Sequence, residues 1–108
     1  MLTVHKYSFK IADSVVLRMP IDAVFLKVDC QHPEEIDQET IQSAQNCLWA
    51  LVDPTKPLHD YTFRIAGTGQ SLPDDFLDKH TYVGTFFNAG RLLVWHMFWD
   101  GTCNPVKT

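Results

Sequence analysis

Short segments that alternate apolar and polar residues with a period of two constrain this chain's fold more than any other feature. Seven such segments, rich in β-branched and aromatic residues, lie at positions 4–9, 15–19, 23–30, 47–52, 61–65, 82–87 and 92–98. No helix between them is long enough to connect parallel strands. The pattern predicts a mainly β chain of about seven antiparallel strands, forming a small sandwich or barrel, with one or two short helical turns.

The strand segments also predict which residues face the core. Residues 47–52 are apolar on both faces, which indicates a central strand. Residues 82–87 and 92–98 flank a short Asn-Ala-Gly-Arg linker, typical of a β-hairpin. In residues 23–30, alternation predicts one apolar face made of Val24, Leu26, Val28 and Cys30. The helical turns are expected at residues 35–44 and 71–77, with Ser71 as the cap of the second turn.

The chain length of 108 residues suits one domain. We expect a single β domain over residues 1–99 and a flexible C-terminal tail over residues 100–108. The tail prediction rests on Gly101, Asn104 and Pro105, which are unfavourable inside a strand. If residues 23–30 and 47–52 pair as a hairpin, Cys30 and Cys47 can lie directly opposite, as two packed thiols or as a disulfide.

Composition argues against several classes of protein. The net charge is −4 and the Lys and Arg residues are scattered singly, which argues against nucleic-acid binding. No apolar stretch approaches the ~20 residues of a membrane helix, so no membrane partner is expected. The N-terminus lacks the pattern of a secretory signal, and the three cysteines form no close pair. These features favour a cytoplasmic location.

No catalytic, metal or cofactor site is predicted. The five histidines lie on different segments without metal-ligand spacing, and no nucleophile motif or carboxylate pair is recognisable. A weak ligand-binding set remains around the Gly67-Thr68-Gly69 bend, with Arg64 and Asp74 nearby. Backbone N–H groups of such a bend can bind an anion, but a simple glycine turn explains the same residues.

Large aromatic rings in the predicted C-terminal hairpin indicate an interaction surface. The candidates are Phe87, Trp95, Met97 and Trp99. A small domain has difficulty burying both faces of a terminal hairpin, so one face is expected to contact a partner or a second copy of the chain. The alternative is burial on both faces.

Several segments together resemble a known group of proteins. They are CLWALVDP at 47–54, YTFRIAGTG at 61–69, YVGTF at 82–86 and LLVWHMF at 92–98. Their order and spacing resemble a family of small uncharacterised proteins from bacteriophages and mobile elements, a domain of unknown function. The chain departs from that pattern at residues 31–45, where the loop is longer, and after Trp99.

The resemblance implies a phage or prophage accessory protein in a bacterial host cytoplasm, with no activity to transfer. With the aromatic hairpin, it favours a non-enzymatic protein-interaction module whose partner is a host or phage protein, and which acts as an inhibitor of a host factor. One alternative is a small ligand-binding protein or enzyme that uses the Gly67–Gly69 bend. Another is a minor structural phage protein.

Overall fold

The computed structural model describes residues 1–31, 45–88 and 93–106. That part of the chain contains seven strands and one short helix, α1 (Phe76–Lys79). The strands are β1 (Thr3–Phe9), β2 (Ser14–Pro20), β3 (Val24–Gln31), β4 (Gln45–Val52), β5 (Leu58–Gly67), β6 (Thr81–Asn88) and β7 (Leu93–Pro105). They form two antiparallel sheets, which we call sheet A (order β1-β4-β3) and sheet B (order β2-β5-β7-β6). The prediction of a mainly antiparallel β fold is confirmed, and the two separate sheets make it a sandwich rather than a closed barrel.

The core lies between the two sheets. In β2 and β5 it takes every second residue: Val15, Leu17, Met19, Tyr61, Phe63 and Ile65. Sheet A contributes buried Leu48, Ala50 and Val52 from β4, the strand that pairs with both β1 and β3. The predicted central position of residues 47–52 is therefore confirmed.

One edge of the sandwich is closed by an unusually tight contact. Gly84 of β6 lies so near β3 that a Cβ atom added to it would be 2.6 Å from Cγ1 of Val28. Val28 is itself 3% exposed. The absence of a side chain at position 84 lets the edge strand of sheet B approach the edge strand of sheet A.

The predicted alternation of β3 fails at a β-bulge. The pairing of β3 with β4 shifts between Phe25 and Lys27, and an extra residue at this point moves the preceding side chains to the opposite face. Val24 and Leu26 are consequently 55% and 50% exposed, and Phe25 packs against the core instead. Only Val28, beyond the bulge, is buried as predicted.

The predicted opposition of Cys30 and Cys47 is wrong by one residue. Cys47 is paired with Asp29, and Cys30 is paired with Asn46. Adjacent positions on a strand point to opposite faces of the sheet, so the two sulfur atoms do not face each other. Both residues are thiols.

The hairpin of β6 and β7 is confirmed, and β7 continues beyond the predicted end of the domain at residue 99. It pairs with β5 through Tyr61↔Cys103, Asp60↔Asn104 and His59↔Pro105, where a flexible tail was expected. A register shift and the positive φ of Gly101 (85°) allow the strand to bend and remain paired. Residues 107–108 lie outside the described residues.

The second predicted helical turn is present but begins later. Helix α1 starts at Phe76, and Asp75 rather than Ser71 occupies its N-cap position. The turn predicted at residues 35–44 lies outside the described residues. Within the described residues, no helix is both long and apolar enough to cross a bilayer.

Candidate functional site

The four predicted interaction residues do not lie on one surface. Met97 is fully buried in the core, and Trp99 packs against the core beside Phe25. Trp95 is half-buried at the end of sheet B, whereas Phe87 points outward and is 43% exposed. The core therefore takes the face that carries Met97 and Trp99, because this face of β7 is turned towards sheet A.

The opposite side of the hairpin is open to solvent. We call it the hairpin face and define it by five outward side chains of β6 and β7: Tyr82, Thr85, Phe87, His96 and Phe98. Tyr82 is 55% exposed, so this face presents two large exposed aromatic rings, Tyr82 and Phe87. Between them lies a row of polar groups.

These polar groups form a continuous hydrogen-bonded row. The Tyr82 hydroxyl lies 2.6 Å from Oγ1 of Thr85, which lies 2.9 Å from Nδ1 of His96. Nε2 of His96 is 2.8 Å from Oγ1 of Thr68, at the end of β5. Each hydroxyl can donate or accept, so the row is satisfied with the imidazole proton on either nitrogen. The row holds the Tyr82 hydroxyl in one position on an exposed surface.

Helix α1 covers the other end of the hairpin face. The buried ring of Phe76 meets Phe98 edge to face at 4.9 Å and stacks on His80 at 3.9 Å. His80 Nδ1 donates to the carbonyl oxygen of Phe76, because that oxygen can only accept. Phe98 in turn contacts the ring of Tyr82 at 5.7 Å. The exposed tyrosine is thus positioned from both its ring and its hydroxyl.

A groove of about 380 Å³ opens where β5 ends and β7 begins. It is lined by Gly67, Thr68, Leu93, Val94 and Trp95. Leu93 is 48% exposed there. The indole Nε1 of Trp95 is buried and has no hydrogen-bond partner within the described residues. The groove wall at Gly67 is formed by the Cζ3 and Cε3 edge of the Trp95 ring, so the unpaired N–H on the opposite edge is buried inside the protein.

The glycine bend beside this groove is not an open anion site. The N–H of Gly67 donates to Oε1 of Gln70 at 3.2 Å, and the N–H of Thr68 donates to the carbonyl oxygen of Val94 at 3.3 Å. Gly69 has a φ of 88°, which favours glycine in a turn. Two of the three N–H groups are therefore already used within the chain, as in an ordinary turn.

The structure disperses the other predicted ligand-binding residues. Arg64 lies on the outer side of β5, opposite Phe98, and its buried Nε has no partner within the described residues. Asp74 is exposed in the turn before α1. Neither residue lines the groove, which takes only Gly67 and Thr68 from the predicted set.

Sheet A has an exposed apolar row of its own. Val4, Leu51 and Val24 lie side by side across the three strands, and Val4 is 54% exposed. This row lies on the outer side of sheet A, away from the hairpin face. Val4 and Val24, at 54% and 55%, are about as exposed as Tyr82 and Phe87, so they serve as controls for surface variants.

A thiol–imidazole pair was missed by the sequence reasoning. Sγ of Cys103 lies 3.5 Å from Nδ1 of His59, and the same nitrogen lies 3.1 Å from the Cys103 carbonyl oxygen. The pair exists because the end of β7 is paired with the start of β5. A 44-residue separation and the expectation of a flexible tail left no local signal for it. No group of three or more metal-ligating side chains occurs within the described residues.

Comparison with known proteins gives a match to a protein family. A family model described as "Domain of unknown function (DUF7352)" matches residues 1–105. No curated protein and no solved structure matches the chain significantly. The match confirms the prediction that the chain resembles a domain of unknown function.

Proposed function

The chain belongs to the DUF7352 family, whose function is unknown, and from its geometry we propose that it is a non-enzymatic protein-interaction module. The observation that carries this proposal is the hairpin face, where Tyr82 and Phe87 are 55% and 43% exposed beside an ordered polar row. Tyrosine and other aromatic residues are enriched among the residues that dominate binding energy at protein interfaces.

Pre-organisation supports the same role. The Tyr82 ring is held by Phe98 and its hydroxyl by Thr85, so little side-chain freedom remains to be lost on binding. Immobilising a flexible side chain at an interface costs about 0.5–1.5 kcal/mol, and a side chain already ordered avoids much of that cost. An exposed residue held in this way is suited to recognition.

The groove extends the proposed surface. A partner side chain of apolar character would bury the exposed part of Leu93 and the wall formed by Trp95. The groove and the hairpin face are adjacent, because Thr68 belongs to both the groove wall and the polar row.

We propose a bacterial host cytoplasm as the setting, with a host or phage protein as the partner. A phage or prophage accessory role and inhibition of a host factor rest on the sequence resemblance alone. A homodimer through the same face is the alternative partner, and light scattering of the purified chain distinguishes the two.

The test compares two matched surface variants in affinity capture from a bacterial host during phage expression. The first, Tyr82→Ala with Phe87→Ala, removes the exposed rings of the hairpin face. The second, Val4→Ala with Val24→Ala, removes side chains of similar exposure from sheet A. We expect a protein that is captured stoichiometrically by the wild type and the sheet A variant and is lost with the hairpin variant.

The captured protein is then purified and titrated calorimetrically against each variant. Loss of interface hot spots costs about 2 kcal/mol or more, so we expect binding to weaken by roughly 30-fold or more in the hairpin variant alone. Equal binding by both variants, or loss only with the sheet A variant, would place the interaction elsewhere and refute the proposal.

The groove favours a second candidate function, binding of a small apolar ligand. Such a ligand would raise the Tm of the wild type but much less that of Trp95→Ala, which removes the ring that lines the groove. Screening small aromatic compounds by thermal shift tests this candidate. Identical shifts in both proteins would rule out a role for the Trp95 ring.

A further inference from the structure

The end of the sandwich away from the groove holds a pair of groups that the proposed function does not use. We infer that Cys103, held beside His59, is an oxidation site of this chain, which hydroperoxides convert to a sulfenic acid that an external small thiol then caps. The inference rests on three observations: the geometry of the thiol–imidazole pair, the surroundings of the other two cysteines, and the distance between them and Cys103.

The geometry decides which role His59 can play. Nδ1 of His59 lies 3.1 Å from the carbonyl oxygen of Cys103, and a carbonyl oxygen only accepts hydrogen bonds. Nδ1 therefore carries its proton, and the same N–H lies 3.5 Å from the sulfur. An imidazole in this state cannot take the thiol proton at Nδ1, but its N–H stabilises negative charge on the sulfur. This arrangement suits a modifiable thiol rather than a catalytic dyad.

Tyr61 completes the surroundings of the sulfur. It is paired with Cys103 across β5 and β7, and its hydroxyl donates to the carbonyl oxygen of Pro20 at 2.9 Å. Burial, and then the neighbouring Cys103, raise the pKa of Tyr61 to about 12, so the hydroxyl stays protonated. No negative charge is therefore added beside Cys103 from this side.

The other two cysteines are less suited to reaction. Cys47 is fully buried, and its sulfur lies 3.8 Å from Oγ of Ser8. Burial and the Asp29 carboxylate raise the pKa of the Cys30 thiol, which lowers its thiolate fraction. Cys103 is only partly buried and has an N–H donor at its sulfur instead of a carboxylate.

The reaction needs one co-reactant, a hydroperoxide. The sulfur attacks the terminal peroxide oxygen, an S–O bond forms as the O–O bond breaks, and the thiol proton leaves with the departing oxygen. With hydrogen peroxide the products are the sulfenic acid and water. The sulfur loses two electrons and the peroxide gains them.

The sulfenic acid has no cysteine of its own chain within reach. Phe25, whose ring contacts Tyr61 at 5.7 Å, marks the level of Cys103 on β3. Because of the bulge, Cys30 lies four paired positions further along β3 and Cys47, which is paired with Asp29, lies three positions further. At the usual rise per residue these positions are roughly 13 Å and roughly 10 Å away. A disulfide needs Cα atoms within about 7 Å, so an external thiol must cap the product, forming a mixed disulfide and water.

The test treats the full chain with hydrogen peroxide in the presence of dimedone, which traps sulfenic acids, and maps the adduct by peptide mass spectrometry. We expect Cys103 to carry the adduct at least tenfold faster than Cys30 or Cys47, and Cys103→Ser to abolish it. Adding glutathione in place of dimedone should give one mixed disulfide per chain at Cys103. Equal rates at the three cysteines of the wild type, or a faster reaction at Cys30, would by themselves overturn the inference.

Two substitutions of His59 isolate the N–H contribution. Leucine removes the donor, whereas asparagine can place an N–H near the position of Nδ1. We expect roughly fivefold to tenfold slower trapping at Cys103 in His59→Leu and a rate near wild type in His59→Asn, as a donor to a charged group predicts. If His59→Leu reacts as fast as the wild type, the imidazole does not assist the thiol. Circular dichroism checks that both variants are folded.

Discussion

Substitution of Gly84 by alanine tests the packing of the two sheets most directly. An added Cβ atom would lie 2.6 Å from Cγ1 of Val28, about 0.9 Å closer than the usual carbon–carbon contact of about 3.5 Å. Val28 is 3% exposed and short, so its side chain has no open space to enter. Alanine at position 84 therefore has to push β6 away from β3.

The magnitude follows from two opposing effects. Overpacking in a core costs about 1–3 kcal/mol, and replacing glycine by alanine recovers about 0.4–1 kcal/mol by restricting the unfolded chain. The net expectation is a loss of about 1–2 kcal/mol in the free energy of unfolding. For a chain of this length, this corresponds to a Tm lower by about 4–8 °C.

The assay is urea unfolding of four proteins: the wild type, Gly84→Ala, Val28→Ala and the double variant. Val28→Ala alone should cost about 2 kcal/mol through lost burial and a cavity. The double variant should lose about 1 kcal/mol less unfolding free energy than the sum of the two single losses, because the cavity left by Val28→Ala accepts the new Cβ atom. Gly67→Ala is the control, since its Cβ atom would meet the Trp95 ring at 3.4 Å, and we expect a change within about 0.5 kcal/mol. A stable Gly84→Ala protein, or strictly additive losses, would refute the close approach of β6 to β3.

Three further perturbations test other parts of the fold. Phe63→Ala should lower the free energy of unfolding by about 3–5 kcal/mol in urea titrations, because Phe63 is fully buried and its ring contacts Phe25 at 5.2 Å; a loss under 1 kcal/mol would contradict its core position. Tyr61→Phe should cost about 1–3 kcal/mol in the same assay, since the hydroxyl joins two backbone groups of the β2–β3 connection; an unchanged midpoint would show that those bonds are dispensable. Hydrogen bonds from Thr55 lower the pKa of Asp53, so its carboxylate stabilises the fold above the ordinary aspartate pKa of about 4, and this contribution is lost as the pH falls through the lower native value. The difference in Tm between pH 7 and pH 3 should therefore be smaller in Asp53→Asn than in the wild type, and an equal difference would refute this assignment.

Local patterns predicted most strands because each pattern expresses a single physical requirement. Alternation in β2 and β5 and the two-sided apolar character of β4 reflect burial on one face or on both. The β6–β7 hairpin was predictable because its short linker brings the two strands together within one segment of the chain.

Long-range pairing was not predictable in the same way. A single bulge in β3 exchanged the faces of Val24 and Phe25, and one residue of register separated Cys30 from the position opposite Cys47. No local sequence pattern marks these shifts, because they depend on how β3 pairs with β4 and on the close approach of β6 to β3 at Gly84. The same holds for residues 100–105. Their strand-breaking residues, Gly101, Asn104 and Pro105, are tolerated at a bend that pairing with β5 stabilises.

The candidate sites were likewise predicted from the sequence only in part. Sequence reasoning placed an interaction surface on the hairpin, and the structure turns Met97 into the core and leaves Tyr82 and Phe87 outside. The polar row joins side chains of β6 and β7 to Thr68 just after β5, and no local sequence pattern links these residues. His59 and Cys103 meet across two strands that are 44 residues apart.

By itself, then, the sequence determined the class of fold, the number of strands and the faces of the regular ones, because period-two burial is a local property of the chain. Only the tertiary structure decided which face of the hairpin is open, where β3 changes face, and which thiol meets an imidazole. Those outcomes depend on registers between distant strands, and a shift of one residue in a sheet exchanges the inside with the outside.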